Sequence, residues 1–582
     1  MSASSRWISA GILLIALALR LAWLAIKPAH FDEGVNGYFV DQITHQGFYH
    51  YDPTNFHGPL HFYALFLSQT LFGRSIWALR VPIALVSTGC VGMALAYRRF
   101  FDDRVCQLAA LAMAISPGMV FYGRYSIHET WLLLFLLITA WGLLGLWQDG
   151  ERRDLWAVAL GTTGMILTKE TWIIHAVAFL LAAPCLYFFE KFSPSQLRPE
   201  SGDRRPEREG STSKSGAESG ERKPERPERQ EGRRKRKSAG AQSRRWLAGR
   251  FKFSWDDVGI AATVSVALIV FFYSGGFLDW SSLPGLWQAY AVWTHTGVGG
   301  QTGHEKDWWY WLQLMGRYEL PALIGLAGGF ALLWPRTNRA ARYLAIYGLG
   351  VLIAYSIIKY KTPWCLISLI WPFLFVFGLA VVNVARAVDA PTTAAFTGVA
   401  CLFTLGVSLK LNFHDFTDEN EPYVYVQTLP EIDALLHPLR ILAERDPQNY
   451  FITGHFIGTE QYPFCWLLAE YPLVDFYSSD ALPDDPDADF LLVDDSLVEK
   501  IEPKLHKSYL RMPMRIRGLS ADSEVLYLDP EIFGAFLPKD TARFTPASET
   551  GERKPETGER KAETGEKALP AGKAKPTETP NR

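Results

Sequence analysis

Long apolar segments alternate with charged loops over most of the first 410 residues. Because a helix of about 20 apolar residues crosses a hydrocarbon core of ~30 Å, these segments predict transmembrane helices and exclude a soluble enzyme. The pattern predicts a polytopic α-helical membrane protein with about eleven spans. The predicted spans are 8–26, 76–97, 105–122, 131–148, 155–168, 171–189, 258–277, 319–334, 343–358, 363–382 and 393–410.

The first apolar segment could be mistaken for a signal peptide, because Arg6 precedes it. It is about 19 residues long and continues into Lys27-Pro28-Ala29-His30 without a small-residue cleavage site. We therefore expect an uncleaved first helix.

Lysine and arginine are concentrated in alternate loops, which sets the expected orientation. Cytoplasmic loops carry the excess of these residues. The expected cytoplasmic loops are 98–104, 149–154, 191–254, 335–342 and 383–390. With an odd number of spans, the N-terminus is then inside and everything after about residue 411 is outside. We expect a multi-pass protein of the cytoplasmic, or inner, membrane.

Composition divides the chain further, although the net charge of the 582 residues is only −2. Residues 1–192 form a first transmembrane module whose outer loop is 27–75, and residues 255–410 form a second. Residues 193–254 and 546–582 are rich in Pro, Glu, Lys, Arg, Ser and Gly and predict a disordered basic cytoplasmic loop and a disordered tail. The basic block in the loop is typical of contact with anionic lipid, so we expect no nucleic-acid partner.

Residues 411–545 predict an extracytoplasmic α/β domain. Short strands are expected at 423–427, 450–453 and 489–494, and a helix at 430–445. The six cysteines include no CxxC pair, so neither a disulfide framework nor a cysteine-rich zinc site is indicated.

Ionisable residues collect at the predicted outer ends of the spans. A single lysine or histidine there usually anchors the membrane interface. Six mixed clusters at one side favour a polar cavity, because charged groups at membrane depth persist mainly at sites and wet cavities. The clusters are 29–34, 51–58, 123–130, 168–170, 303–310 and 358–364.

These motifs, in their order relative to the spans, resemble the GT-C superfamily of lipid-linked glycosyltransferases. Within that superfamily, the chain most resembles the protein O-mannosyltransferases, the lipid A aminoarabinose transferases and the flippase-associated proteins of archaea and bacteria. The resemblance covers roughly residues 8–410. It rests on His30-Phe31-Asp32-Glu33-Gly34, Tyr51-Asp52-Pro53, His57-Gly58-Pro59, Ser116-Pro117, Arg124-Tyr125, Glu129, Thr168-Lys169, His304, Asp307-Trp308-Trp309-Tyr310 and Lys361-Thr362-Pro363-Trp364.

The resemblance implies inverting transfer of a sugar from a polyprenyl-phosphate donor to a glycan, lipid or protein acceptor at the outer membrane face. It implies Asp32 as the catalytic base, with Glu33 and Glu129 as further catalytic carboxylates, Glu129 as a contact to a metal or to the acceptor. Candidate substrate-binding residues, mostly cations for the departing phosphate, are His57, Arg124, Lys169, His304, Lys359 and Lys361. No cofactor is firmly implied; a divalent metal held by Glu33, Glu129 or His304 is left open.

Two positions depart from the family pattern. Glu129 stands where relatives often have aspartate, and Glu170 follows Lys169 where relatives often have glycine, so a carboxylate could neutralise that lysine.

Lys359 and Lys361 would share one side of an extended segment, because Pro363 disfavours helix before it.

Two other classes of protein remain open at this stage. A transporter or flippase of lipid-linked sugars would also need a cationic cavity open to lipid, and an assembly factor could carry a vestigial site. Inverted repeats with broken helices would favour the transporter, and the sequence shows no such pairing.

Overall fold

The computed structural model describes residues 2–192, 251–299, 303–331, 338–518 and 523–546. Most of the protein is a bundle of helices. Its helices are α1 (Ala3–Leu21), α2 (Phe31–Gln46), α3 (Leu60–Phe72), α4 (Ile76–Ala96), α5 (Asp103–Ile115), α6 (Pro117–Phe121), α7 (Glu129–Gln148), α8 (Arg152–Ile166), α9 (Trp172–Phe192), α10 (Trp255–Tyr273), α11 (Gly285–Gly299), α12 (Tyr310–Tyr318), α13 (Leu320–Ala331), α14 (Arg339–Ile357), α15 (Leu366–Ala387) and α16 (Ala390–Phe413).

Each of the eleven predicted spans corresponds to a helix or a bent helix pair. Eight helices of the described residues are long and apolar enough to cross a membrane, or nine if the bent pair α5–α6 is one span. Two of the predicted spans, α8 and α13, have only 15 and 12 described residues. The protein is therefore a multi-pass membrane protein.

Helix α15 lies at the centre of the bundle and packs on α5, α13 and α14. It is the most deeply buried span, whereas α10 and α16 lie at the periphery. The bend of 60° between α5 and α6 falls at Ser116-Pro117, because proline cannot continue the hydrogen-bond ladder of the preceding helix. The carboxylate of Glu319 accepts from Ser116 Oγ at 2.7 Å and from the Gly118 amide at 2.8 Å, which holds the bend.

The predicted cytoplasmic loops meet at one end of the bundle. Ion pairs join them, including Arg386 with Asp102 at 2.6 Å and Arg152 with Asp257 at 2.9 Å. Helix α16 runs from this basic end to the C-terminal domain, so the domain lies at the other end.

The C-terminal domain contains a six-stranded mixed sheet with strand order β2-β1-β3-β5-β4-β6. The strands β1, β2 and β3 are parallel and the others antiparallel. Helix α17 (Asp433–Arg445) and the short helices α18 (Phe464–Leu467), α19 (Val498–Ile501) and α20 (Pro530–Phe533) complete it. The strands are β1 (Gly454–Ile457), β2 (Val474–Tyr477), β3 (Phe490–Asp494), β4 (Tyr509–Met514), β5 (Glu524–Leu528) and β6 (Arg543–Phe544).

Two of the three strands expected in this domain are not formed where the sequence placed them. Residues 423–427 are turns rather than a strand, because they cross the bundle and their polar atoms bond to it. Residues 450–453 lie before β1, which begins at Gly454. The expected strand at 489–494 and helix at 430–445 match β3 and α17.

The expected disordered segments, 193–254 and 546–582, lie almost entirely outside the described residues.

Candidate active site

A cavity of about 270 Å³ opens at the domain end of the bundle. It is walled by the start of α2, the loop before α3, the start of α7, the loop between α8 and α9, and the segment between α14 and α15. The ionisable residues that line it are Asp32, His57, His128, Glu129, Lys169 and Glu170. Four residues predicted from sequence, Asp32, His57, Glu129 and Lys169, are thus brought together.

Asp32 is the most accessible carboxylate among these lining residues, with 39% of its side chain exposed. It stands in the first turn of α2, where the positive end of the helix dipole favours a carboxylate. The Tyr125 hydroxyl donates to Asp32 Oδ2 at 3.0 Å. Among the described residues, no lysine or arginine forms an ion pair with it within 4.0 Å, so its lone pairs stay available to a ligand.

Glu129, Lys169 and Glu170 form a buried ionic group in the cavity wall. Lys169 Nζ lies 2.5 Å from Glu129 Oε1 and 3.9 Å from Glu170 Oε1. Burial alone would lower the pKa of Lys169, but the two carboxylates outweigh it and raise that pKa well above its usual value. Lys169 is therefore a permanent but compensated cation, as the glutamate at position 170 suggested.

His57 joins this group through Glu170, whose Oε2 lies 2.9 Å from His57 Nδ1. Burial alone would raise the pKa of Glu170, but Lys169 and His57 outweigh it and lower that pKa, so the carboxylate is ionised. An ionised partner on Nδ1 holds the ring with Nε2 free for a ligand. The hydrogen bonds that Gly58 N and Leu60 N donate to the 167–168 segment, each at 3.1 Å, fix this loop against it.

Glu33 does not line the cavity, contrary to the expectation that it is catalytic or a metal ligand. Its side chain is fully buried, and Arg80 donates to both carboxylate oxygens, at 2.8 and 2.6 Å. The backbone amides of Ser126 and His30 donate to the same carboxylate at 2.9 and 3.0 Å. With these acceptor sites occupied, Glu33 has a structural role.

Arg124 also lies away from the cavity. Its guanidinium donates to the carbonyls of Leu19, Ala22 and Trp23 at the end of α1, at 3.0, 2.5 and 2.9 Å. The Leu19 carbonyl belongs to the last turn of α1, where carbonyls have no intrahelical partner, and those of Ala22 and Trp23 follow directly after the helix. Arg124 therefore ties α1 to the bend after α6 and does not meet a substrate.

Lys359 and Lys361 line a second, adjoining pocket, together with Lys306 and Asp307. The segment between them is extended, and Tyr360 forms an antiparallel β-bridge with Glu305. Alternate side chains of the segment therefore face opposite ways. Tyr360 and Thr362 face the first cavity, and the two lysines share the other side, as the spacing predicted. The Lys361 ammonium is buried and donates to the carbonyls of Lys306, at 3.0 Å, and Ile358.

His304 lies next to Tyr360, which lines the cavity. Its ring is 5.0 Å from that of Tyr360, and its Nδ1 lies 2.6 Å from the Tyr425 hydroxyl. Burial, with Lys306 contributing, lowers the pKa of His304, so its ring is neutral at pH 7 and hydrogen-bonds rather than acting as a cation.

The three residues suggested for a metal do not converge, because Glu33 is bound to Arg80 and His304 to Tyr425. Among the described residues, the groups spaced to share a cation are Asp485, Asp487 and His506, and Asp415, Asp418 and Glu421. Both sets lie outside the cavity.

Sequence reasoning assigned no role to several cavity residues. Glu170 was noted only as a departure and His128 only as part of the cluster 123–130, and Asn36 lies in none of the clusters. The His128 ring packs between those of His57 and His61 in tilted orientations, at centroid distances of 4.5 and 4.2 Å. The crowding of histidines at 57, 61 and 128 beside predicted span ends was the signal that could have indicated it.

Part of the chain matches a known protein family. Residues 56–192 match the model of the dolichyl-phosphate-mannose-protein mannosyltransferase family. The match contains His57, Glu129 and Lys169 and begins after Asp32. No curated protein matches the sequence.

The fold is similar to that of solved structures of the membrane protein ArnT. The structure of ArnT from Cupriavidus metallidurans bound to undecaprenyl phosphate superposes with a TM-score of 0.55 at 11% identity, over 90% of this chain and 97% of that chain. Its apo form gives 0.54 at 12% identity, over 90% and 98%. The resemblance inferred from the motifs is confirmed at the level of the fold.

Proposed function

We propose that this protein is an inverting glycosyltransferase that moves a sugar from a polyprenyl-phosphate donor to an acceptor hydroxyl at the outer face of the cytoplasmic membrane. The observation that carries the proposal is Asp32, an accessible carboxylate that no lysine or arginine of the described residues pairs with, in a cavity that has ionised groups on its other walls. The GT-C fold and the family match support it, as does the polyprenyl phosphate bound by ArnT.

In this mechanism Asp32 acts as the base. It takes the proton of the acceptor hydroxyl while that oxygen attacks the anomeric carbon of the donor sugar from the face opposite the phosphate. The bond between that carbon and the phosphate oxygen breaks, and the polyprenyl phosphate leaves with the electron pair. Attack on the opposite face inverts the anomeric configuration.

The departing phosphate needs positive charge. Lys359 and Lys361 supply it from the adjoining pocket, since both line that pocket and Tyr360 of the same segment lines the cavity. Lys169 and His57 are compensated by Glu129 and Glu170, so they suit hydroxyl groups of a sugar better than a free anion.

The orientation in the membrane follows from the basic end of the bundle, which we assign to the cytoplasm by the positive-inside rule. The cavity and the C-terminal domain then lie outside, and the hydrophobic surface of the bundle accommodates the polyprenyl chain.

Purified protein in lipid nanodiscs would test the proposal. Polyprenyl-phosphate sugars isolated from membranes of the source organism would serve as donors, and mass spectrometry would follow their consumption. Binding would be measured with undecaprenyl phosphate. The control variant is Asp52→Asn in the same loop, because Asp52 caps a short turn through Thr54 and asparagine caps equally well.

We expect the wild type and Asp52→Asn to consume a donor, and Asp32→Asn to be slower by roughly 100-fold or more. Binding of undecaprenyl phosphate without any transfer, together with movement of the lipid-linked sugar between leaflets, would replace the enzyme by a transporter. Full transfer by Asp32→Asn would remove Asp32 from the mechanism.

A further inference from the structure

Residues 423–427, expected as a strand, instead form an irregular segment that ties the C-terminal domain to the bundle; we call it the strap. The backbone carbonyl of Tyr423 accepts a hydrogen bond from the Tyr122 hydroxyl at 3.0 Å. Gln427 Nε2 donates to the Pro28 carbonyl at 3.2 Å. Between them, the strap passes over the start of α2.

The strap contains a strained residue. Val426 has φ 45°, in the left-handed region that a β-branched side chain rarely adopts. Such strain persists where the surrounding contacts determine the backbone, and it clusters at functional sites. Here it accompanies a specific contact, because the carbonyl of the preceding residue, Tyr425, lies 3.2 Å from His30 Nε2.

His30 is the N-cap of α2 and is almost fully buried. Its Nδ1 accepts from the Asp32 amide at 3.1 Å, the contact that Ser, Thr, Asp or Asn usually makes at this position. The Tyr125 hydroxyl lies 3.0 Å from Asp32 Oδ2 and is also within hydrogen-bond distance of His30 Nδ1. It has one hydrogen, so it donates to only one of these two atoms at a time. One imidazole therefore contacts both the backbone of Asp32 and the tyrosine beside its carboxylate.

The partners fix the protonation of this ring. A carbonyl can only accept, so Nε2 carries the hydrogen; a backbone amide can only donate, so Nδ1 is bare. Although Nδ1 lies 3.7 Å from Asp32 Oδ2, it has no proton to offer. Burial lowers the pKa of His30, which keeps the ring neutral.

We propose that His30 is a positioning residue for Asp32: the strap's Tyr425 carbonyl holds its imidazole in the Nε2–H tautomer, so that Nδ1 orients Asp32 without neutralising it. The inference rests on the proposed function, in which Asp32 is the base. A protonated His30 would pair with Asp32 and lower its basicity. The strap thereby links the C-terminal domain to the reacting carboxylate, a role for that domain that its sequence did not reveal.

The variants His30→Asn and His30→Ala separate this role from capping alone. Asparagine is a favoured N-cap, so His30→Asn should keep the helix start and the thermal stability, whereas His30→Ala loses both. Asparagine does not reach the Tyr425 carbonyl with a second nitrogen. We therefore expect kcat of His30→Asn to fall by roughly 10- to 100-fold with little change in KM for the donor. Full kcat in His30→Asn would overturn the proposal.

A spectroscopic measurement does not depend on activity. Protein with ¹⁵N-labelled histidine and ¹³C-labelled aspartate, in nanodiscs at pH 7, would be studied by solid-state NMR. The signals of His30 and Asp32 would be assigned by their loss in His30→Asn and Asp32→Asn. We expect a neutral His30 ring with hydrogen on Nε2, and a shifted Asp32 carboxyl signal in His30→Asn.

The outcomes distinguish the two proposals. Hydrogen on Nδ1, a charged ring, or an unchanged Asp32 signal would overturn the positioning role even if transfer occurs. The expected spectra in a wild type that transfers nothing would support the positioning of Asp32 and overturn the proposed function.

Discussion

The guanidinium of Arg80 and the carboxylate of Glu33 form a bidentate ion pair, with both side chains at 0% exposure. Arg80 also donates to the carbonyls of Leu24 and Lys27, at 3.0 Å each, in the turn between α1 and α2. The pair thus holds the turn that delivers Asp32 to the cavity, although Glu33 itself never reaches it.

Removing one partner of this pair should act on folding rather than on chemistry. Glu33→Gln leaves the Arg80 charge buried and uncompensated, and breaking a buried pair in this way costs about 3–5 kcal/mol. We expect a much lower yield of folded protein and a lower thermal midpoint, measured by fluorescence-detected size exclusion on a temperature series. A stable Glu33→Gln protein with strongly reduced transfer would instead return Glu33 to the catalytic group.

Asp32 and Glu33 show which features of the site could be predicted from the sequence and which could not. The order of motifs and spans predicted the membrane bundle and brought Asp32, His57, Glu129 and Lys169 to one cavity. The sequence could not separate Asp32 from Glu33, because adjacent helical residues differ by about 100° in direction and only the position of Arg80 decides which one is buried.

Other failures have the same kind of cause. Arg124 has the chemistry of a phosphate ligand, but backbone carbonyls at the C-terminal end of α1 bind it instead. The strap has the alternating residues of a strand, yet within the described residues only its last residue pairs with another extended segment, where the Gly518 amide donates to the Gln427 carbonyl at 3.0 Å. Both outcomes depend on tertiary partners that lie far away in the sequence.

The two lysines of the second pocket should respond differently to loss of charge. Lys359 is exposed, so Lys359→Met should weaken binding of undecaprenyl phosphate without affecting stability. Lys361→Met would leave the carbonyls of Lys306 and Ile358 without their donor, so it should reduce both binding and thermal stability. Binding by tryptophan fluorescence and thermal midpoints would check this. Unchanged binding in both variants would remove the pocket from donor recognition.

Stability should fall as the pH is lowered below about 6.5, the usual histidine pKa. His30 and His304 have folded-state pKa values below their unfolded values, so the unfolded state binds more protons as the pH falls. Above pH 6.5 both histidines are neutral in the folded and unfolded states, and their contribution to stability is complete. Below pH 6.5 this contribution decreases until the pH reaches the pKa of each histidine in the folded state. We expect the thermal midpoint to decrease from pH 7.5 to pH 5.5, and His304→Gln to reduce that decrease. An identical pH dependence in His304→Gln would exclude its contribution.

Docking of the C-terminal domain on α2 requires a small residue at position 37. A Cβ added to Gly37 would lie 2.5 Å from the Trp466 ring, which is buried. Gly37→Ala should therefore loosen the domain, increase protease cleavage between residues 411 and 430, and reduce transfer. Gly316→Ala is the matched control, since it also lies within a helix and its Cβ would meet nothing within 4 Å. Equal protease resistance in both variants would show that Trp466 can move aside.

The orientation of the whole protein determines on which side of the membrane the reaction takes place. Asp256 and Asp480 are both exposed aspartates, one at the basic end of the bundle and one in the C-terminal domain. Each would be replaced by cysteine in a variant whose native cysteines are changed to serine. If the basic end is cytoplasmic, a membrane-impermeant maleimide should label Asp480→Cys in intact cells and Asp256→Cys only after permeabilisation.

The reverse labelling would place the cavity on the cytoplasmic side. The donor sugar would then be taken from the inner leaflet, and the acceptor would have to be a cytoplasmic molecule. Because both substitutions remove the same exposed side chain, a difference in labelling reports position rather than chemistry. The experiment therefore decides the side of the membrane independently of whether transfer is detected.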